Sequence, residues 1–134
     1  MVVVAIVGIL ATVGYPSYTD YIVRGALADA NTGLATTRAL MERYYQDNRT
    51  YASSGTFITP CAVTDAAKRT YGNFVVACVG TPTATAYTLS ATGSGSASGF
   101  TFTINEADVR ATTAAKTGYN TCTNKWLMKK GATC

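Results

Sequence analysis

The sequence predicts an α+β fold: a long N-terminal α-helix packed on an antiparallel sheet of about four strands and closed by two disulfides. Three observations carry this prediction. An uncharged run fills the first nineteen positions, several later segments alternate apolar with hydroxyl side chains, and four cysteines follow residue 60. Single domains usually run about 100 to 200 residues, so the chain has room for one and not for a two-domain enzyme.

The helix comes first. Residues 1–15 read MVVVAIVGILATVGY, and the first charge is Asp20. A strand, at about 4 to 8 residues, is too short a unit for such a run. A secretion signal carries Lys or Arg ahead of its apolar core, and here that core begins at residue 1. Burying Val2, Val3, Val4, Ile6, Val7, Ile9, Leu10 and Val13 is worth roughly 12 to 24 kcal/mol gross, at about 1.5 to 3 kcal/mol each. The run therefore belongs in lipid or in the apolar core of a filament. Fifteen helical residues reach about 22 Å against a hydrocarbon core of about 30 Å, which leads us to expect further apolar residues upstream. Pro16 removes an intrahelical hydrogen bond and Gly8 and Gly14 weaken the helix, so a kink or melted stretch is expected between Gly8 and Pro16.

Past Pro16 the helix turns amphipathic. Leu27, Leu34 and Met41 recur every seven residues with Ala30, Thr37 and Tyr44 three further on, one stripe running to about Gln46. Such a stripe needs a sheet to cover it. Asp20 with Arg24, Arg38 with Glu42 and Arg43 with Asp47 are spaced to meet on the opposite, solvated face. Tyr15, Tyr18 and Tyr21, three apart, share a face; core packing accounts for these and for Tyr44, Tyr45 and Tyr51 more simply than an electron path does. The chain divides at this level into an apolar helix half, residues 1–23, and a globular head, residues 24–134.

Residues 50–72 keep no period and read as a loop over the sheet edge. Strands are expected at 74–79, 86–92, 100–105 and, more weakly, 109–113, each rich in β-branched or aromatic residues. Tyr87, Leu89 and Ala91 alternate with Thr88, Ser90 and Thr92, and Phe100, Phe102 and Ile104 with Thr101 and Thr103, so one face is apolar and the other hydroxyl-rich. Residues 93–99, GSGSASG, are too long for a tight turn and read as a mobile hairpin loop. Cys61, Cys78, Cys122 and Cys134 allow three pairings. Without CxxC spacing or His, disulfides are favoured over zinc. Joining Cys61 to Cys78 and Cys122 to Cys134 closes the shortest non-overlapping loops and is the expected arrangement.

Composition narrows the function. Only 13% of residues are charged and 48% are apolar, with a net charge of +4. This describes an ordered chain with a greasy part, and the mild positive charge permits contact with nucleic acid or anionic membranes. His is absent. Its absence removes the Ser-His and Cys-His nucleophile arrangements and the commonest metal ligand. Glu106 and Asp108 read as solvated turn residues. We therefore expect no enzyme, no catalytic residue, no metal, no cofactor and no small-molecule substrate.

MVVVAIVGILATVGYPSYTDYIVRGALADA resembles the N-terminal helix of type IV pilins, entered six residues after that family's mature start. Gly8, Pro16, Tyr18, Tyr21 and Arg24 fall where the family places its helix-softening Gly, its kink Pro and the polar continuation. The family's leader, aromatic first residue and early Glu are not in this sequence. The two-bridge pattern and the run YTLSATGSGSASGFTFTINEADVR resemble the smaller pilins often classed as minor. The resemblance implies a pilin fold and a structural subunit, held in the inner membrane of a Gram-negative bacterium as a precursor and then assembled into an extracellular pilus. Its partners would be copies of itself or related pilins in a helical filament, serving adhesion, twitching or DNA uptake. A pseudopilin of a type II secretion system is one alternative. The other is a DNA-binding competence pilin using a basic C-terminal loop: Lys116, Lys125, Lys129 and Lys130 beside Trp126 supply ammonium groups for phosphates and a ring for stacking.

Overall fold

In the computed structural model of the chain the described residues are Val2–Cys134. Met1 and the side chains of Val13, Tyr15 and Pro16 lie outside that description, so the filament-core assignment of Val13 is not addressed by it. Helix α1, Val2–Asn48, precedes five strands: β1 Thr70–Tyr71, β2 Phe74–Cys78, β3 Thr88–Gly93, β4 Thr101–Asn105 and β5 Arg110–Ala114. They form one antiparallel sheet in the order β1-β2-β3-β4-β5.

Helix α1 runs unbroken through Gly8, Gly14 and Pro16, so of the kink or melted stretch expected there the melted form is not seen. One missing N–H costs a single rung of the ladder, and the turns on either side keep theirs. The helix stops where Arg49 adopts a left-handed conformation with φ of 55°. Its N–H still reaches the Tyr45 carbonyl at 2.7 Å, and the Asn48 side chain reaches that of Tyr44 at 3.0 Å.

The helix has two different halves. Val2, Val3, Val4, Ile6, Val7, Ile9 and Leu10 are between 52 and 74% exposed. From Val23 onward one face packs on the sheet, with Leu27, Ala30, Leu34, Thr37 and Met41 buried as their spacing implied. Tyr71 packs so close to this face that a Cβ added at Gly33 would stand 2.8 Å from its ring, which is why a glycine serves there. Tyr18 and Tyr21 are exposed, so the expectation that core packing explains them fails for these two. They precede the first residue that touches the sheet. Tyr45 and Tyr51 do pack, stacked at 4.6 Å between ring centroids.

Phe74, Val76, Leu89, Ala91, Phe100, Phe102 and Ile104 make the sheet's contribution to the core. Four strands match the sequence expectation within a residue or two. The fifth, the two-residue β1, lies in the stretch read as loop, because two residues are too few to show an alternation. That stretch is also tied down by Arg69, which donates to the carbonyls of Val63 and Val76 at 2.6 Å each. The Gly93–Gly99 segment is likewise fastened rather than free. Ser94 N–H donates to the Asn73 carbonyl at 2.8 Å, Asn73 donates to the Ser96 hydroxyl at 2.7 Å, and Ala97 is buried.

Two disulfides close the head, Cys61–Cys78 and Cys122–Cys134. The second sits in a tail that folds back along the sheet edge. Cys122 pairs with Thr112 of β5 through backbone bonds of 2.7 and 3.0 Å. The buried Thr112 hydroxyl donates to the Lys125 carbonyl at 3.2 Å and accepts the Leu127 N–H at 2.8 Å. Both bonds depend on a hydroxyl at a position where a core strand would otherwise carry an apolar side chain.

Candidate nucleic-acid interface

The tail places Trp126 against the edge of the sheet. Its indole N–H donates to the Thr103 carbonyl at 2.8 Å, and the Arg110 guanidinium lies over the ring, 4.7 Å from its centroid. One face of the ring is therefore occupied by a cation, a contact worth about 0.5 to 2 kcal/mol. The guanidinium is fixed in turn. Arg110 Nε donates to Asp108 Oδ1 at 3.2 Å, and Arg38 of the helix meets the same carboxylate at 2.7 Å. Asp108 takes φ of 60° in the turn between β4 and β5, which sets its carboxylate between the two arginines. The hydrogen bond from Arg110 first, then the Arg38 charge, holds its carboxyl below the usual range.

Sequence spacing pairs Arg38 with Glu42, and the structure separates them. Arg38 turns to Asp108, while Glu42 accepts the hydroxyls of Tyr51 and Tyr87, each at 3.0 Å. A carboxylate offered two buried phenols does better with them than with a solvated guanidinium, since hydrogen bonds to a charged group are worth about 1.5 to 3 kcal/mol and exposed ion pairs well under 1. Burial, then the Glu42 hydrogen bond and charge, pushes the Tyr51 phenol up to about 12. The same causes push Tyr87 higher still, with Arg38 opposing. Asp20 with Arg24, at 3.7 Å, is the one helix pair of the three expected that appears among the described ion pairs. Glu106 and Asp108 do lie in the turn between β4 and β5, with Asp108 exposed, and there Glu106 accepts the Tyr87 N–H at 3.2 Å while Asp108 joins the two arginines.

Arg38, Glu42, Arg110 and Trp126, with Asn31, Ala35, Ala39 and Ile104, line a cleft of about 300 Å³ between the helix and the β4–β5 edge. It offers two guanidinium groups, a carboxylate, an indole and an amide to a ligand. Sequence reading found Trp126 and missed both arginines, which lie 88 and 16 positions from it. Only the fold brings them together.

The five residues singled out for DNA contact do not share one site. Lys116, Lys125, Lys129 and Lys130 are exposed and Trp126 is half-buried. Lys116 and Lys130 line a separate cleft with Tyr119 and helix residues Thr19, Asp20 and Val23. Lys125 is adjacent to Trp126 in sequence, and its carbonyl is anchored by Thr112. Among the described residues there is no cluster of carboxylates, thiols or imidazoles able to hold a metal ion.

The family described as "Type IV minor pilin ComP, DNA uptake sequence receptor" matches residues 16–124. The chain belongs to this type IV minor pilin family. No curated protein matches it. The match begins at Pro16 and spans the amphipathic half of the helix, the whole sheet and Cys122, so it agrees with the long helix, antiparallel sheet and disulfide-closed head of this minor pilin. Membership carries with it a role in the type IV pilus and a precursor anchored in a membrane. The exposed apolar half of α1 is consistent with such an anchor, holding an 18-residue stretch of mean hydropathy 1.7 with none of its described side chains buried.

Proposed function

We propose that this minor pilin is stored in the inner membrane of a Gram-negative bacterium by residues 1–23 and passes into a type IV pilus. There residues 24–134 bind DNA during uptake. In the filament Val2, Val3, Val4, Ile6, Val7, Ile9, Leu10 and Val13 pack against neighbouring subunits, and Gly8, Gly14 and Pro16 are where the helix bends to allow it. Head-to-tail contacts of this kind do not close and so build an open helical fibre.

The observation that carries the DNA half is the cleft in which Arg38 and Arg110 stand around Trp126. The two guanidiniums stand beside an indole and are matched by the Asp108 and Glu42 carboxylates, so the positive charge at this edge comes from the exposed lysines of the tail. Guanidinium forks read guanine edges bidentately, and an aromatic face stacks on bases. Exposed Lys125 and Lys129 flank the ring in sequence and supply phosphate contacts.

The test is duplex binding by the full chain in detergent micelles across a salt series. Lys125→Ala with Lys129→Ala is expected to reduce the slope of log K against log[salt] by about 1.8 if both neutralise phosphates. Binding that keeps its slope in the double variant removes the two lysines, and absence of binding by the unmutated chain removes the DNA reading. The filament half is tested apart from this: sheared surface fibres, examined by electron microscopy and mass analysis, contain this chain if it is a subunit.

A further inference from the structure

Tyr18 and Tyr21 are aromatic side chains that the fold leaves unused. They are 65 and 77% exposed, and neither hydroxyl has a hydrogen-bond partner among the described residues. The helix is not bare all round at this level. Thr19, Asp20 and Val23, from the same stretch, line a cleft whose other residues, Lys116, Tyr119 and Lys130 among them, come from the tail. Tyr18 precedes the buried Leu27 by nine residues, about two and a half turns, and so occupies the opposite face; Tyr21 lies about 120° round the helix from Leu27. The head thus covers one side of this turn and leaves the two rings on the other.

What meets the rings follows from the chain on either side of them. The apolar run that leads up to them has none of its described side chains buried, and its Thr12 hydroxyl is satisfied within the helix, donating to the Ile9 carbonyl at 2.8 Å. Past them the character changes within one turn: Asp20 and Arg24 pair at 3.7 Å, and Val23 packs against the core of the head. A charged side chain at the middle of a bilayer costs about 2.5 to 3.5 kcal/mol, so a membrane anchored on the apolar run ends at this turn. From Tyr18 to Tyr21 the helix rises about 4.5 Å, and the headgroup layer of one leaflet is about 5 to 8 Å deep, so one layer holds both rings. A phenol suits that layer, its ring against the acyl chains and its hydroxyl within reach of headgroups and water.

We propose that Tyr18 and Tyr21 are the membrane-interface anchors of the stored subunit, seated in the lipid headgroup layer and setting the depth at which the helix holds the head. This rests on the membrane half of the proposed function, to which it adds the residues that fix depth, and not on the DNA half. With the rings on one side of the helix and the head on the other, both sides of the turn are held at the membrane surface.

The experiment places the full chain in phosphatidylcholine nanodiscs, one copy per disc, as Tyr18→Trp and as Tyr21→Trp. Each variant also carries Trp126→Phe, so that the new indole is the only one. Lipids brominated near the headgroup or deep in the acyl chains quench the indoles they touch. Both indoles are expected to be quenched more by shallow bromines than by deep ones and to be shielded from iodide in the water. Deep bromines quenching as strongly as shallow ones, or iodide quenching alone, overturns the anchor, and so does an indole that no quencher reaches. Bromine quenching that disappears once two copies share a disc assigns this face to a second helix instead of lipid. Depth control is read from a Thr12→Trp indole in the same background: Tyr18→Ala with Tyr21→Ala is expected to shift its ratio of shallow to deep quenching, and an unchanged ratio removes that role. A chain that fails to enter discs at all overturns the membrane reading itself, and this is seen before any fluorescence is compared.

Discussion

Glu42 is the hub on which helix, loop and sheet converge, and replacing it tests how the head is held together. Its carboxylate accepts the hydroxyls of Tyr51 and Tyr87, both at 3.0 Å, and these rings lie edge to face at 4.6 Å with only 7% and 3% of their surface exposed. In Glu42→Leu both phenols lose their acceptor in a site water does not reach freely. At about 1 to 3 kcal/mol per stranded hydroxyl, the loss is about 4 kcal/mol, a large share of a total stability of about 5 to 15. The assay is urea unfolding of the full chain in micelles, followed by circular dichroism. With a slope of about 2 kcal/mol per molar urea, the midpoint falls by about 2 M. The informative control is Glu42→Leu with Tyr51→Phe and Tyr87→Phe. Removing donors and acceptor together leaves nothing unsatisfied, so the triple variant recovers most of the loss. A single variant losing less than about 1 kcal/mol, or a triple variant as weak as the single, would refute the reasoning.

The same hub predicts an alkaline limit. Because the folded Tyr51 phenol is raised to about 12, its contribution is complete below the ordinary phenol value of 10 and disappears as pH rises through 12. Tyr87, raised further, extends that loss, so unfolding midpoints are expected to hold to about pH 10 and then fall; an ultraviolet titration step near pH 10 that shrinks in Tyr51→Phe or Tyr87→Phe would contradict this. The disulfides should differ in lability, since Cys134 is exposed while Cys61 is buried. Limited dithiothreitol is expected to open Cys122–Cys134 first, read by alkylation and mass analysis, at a cost of about 3 kcal/mol for a loop of that length. Simultaneous opening, or Cys61–Cys78 opening first, would show that exposure does not control access.

Much of the fold was legible because local patterns were also global ones. The seven-residue stripe of Leu27, Leu34 and Met41 predicts burial whatever covers it, and the alternation of Tyr87, Leu89 and Ala91 fixes which face of β3 turns inward. The tail disulfide was legible for the same reason, its partners being twelve positions apart. The site was not legible, because its chemistry depends on which partner wins among several within reach. Arg38 and Glu42 satisfy every spacing rule for a helix pair, yet each has a stronger option that appears only when β3 and the β4–β5 turn are docked against the helix. Tyr51 and Tyr87 offer Glu42 two buried donors, and Asp108, held left-handed in its turn, offers Arg38 a carboxylate. The basic tail shows the converse. Four lysines near one tryptophan look like a single patch in sequence, but Thr112 anchors the chain at Lys125 and Leu127 while Gly118 takes Gly131 back toward the base of the head. That reversal puts Lys116 and Lys130 in one cleft and Trp126 in another. A patch of like charge in sequence thus becomes two sites with different neighbours, one beside an indole and two arginines, the other beside the end of an apolar helix.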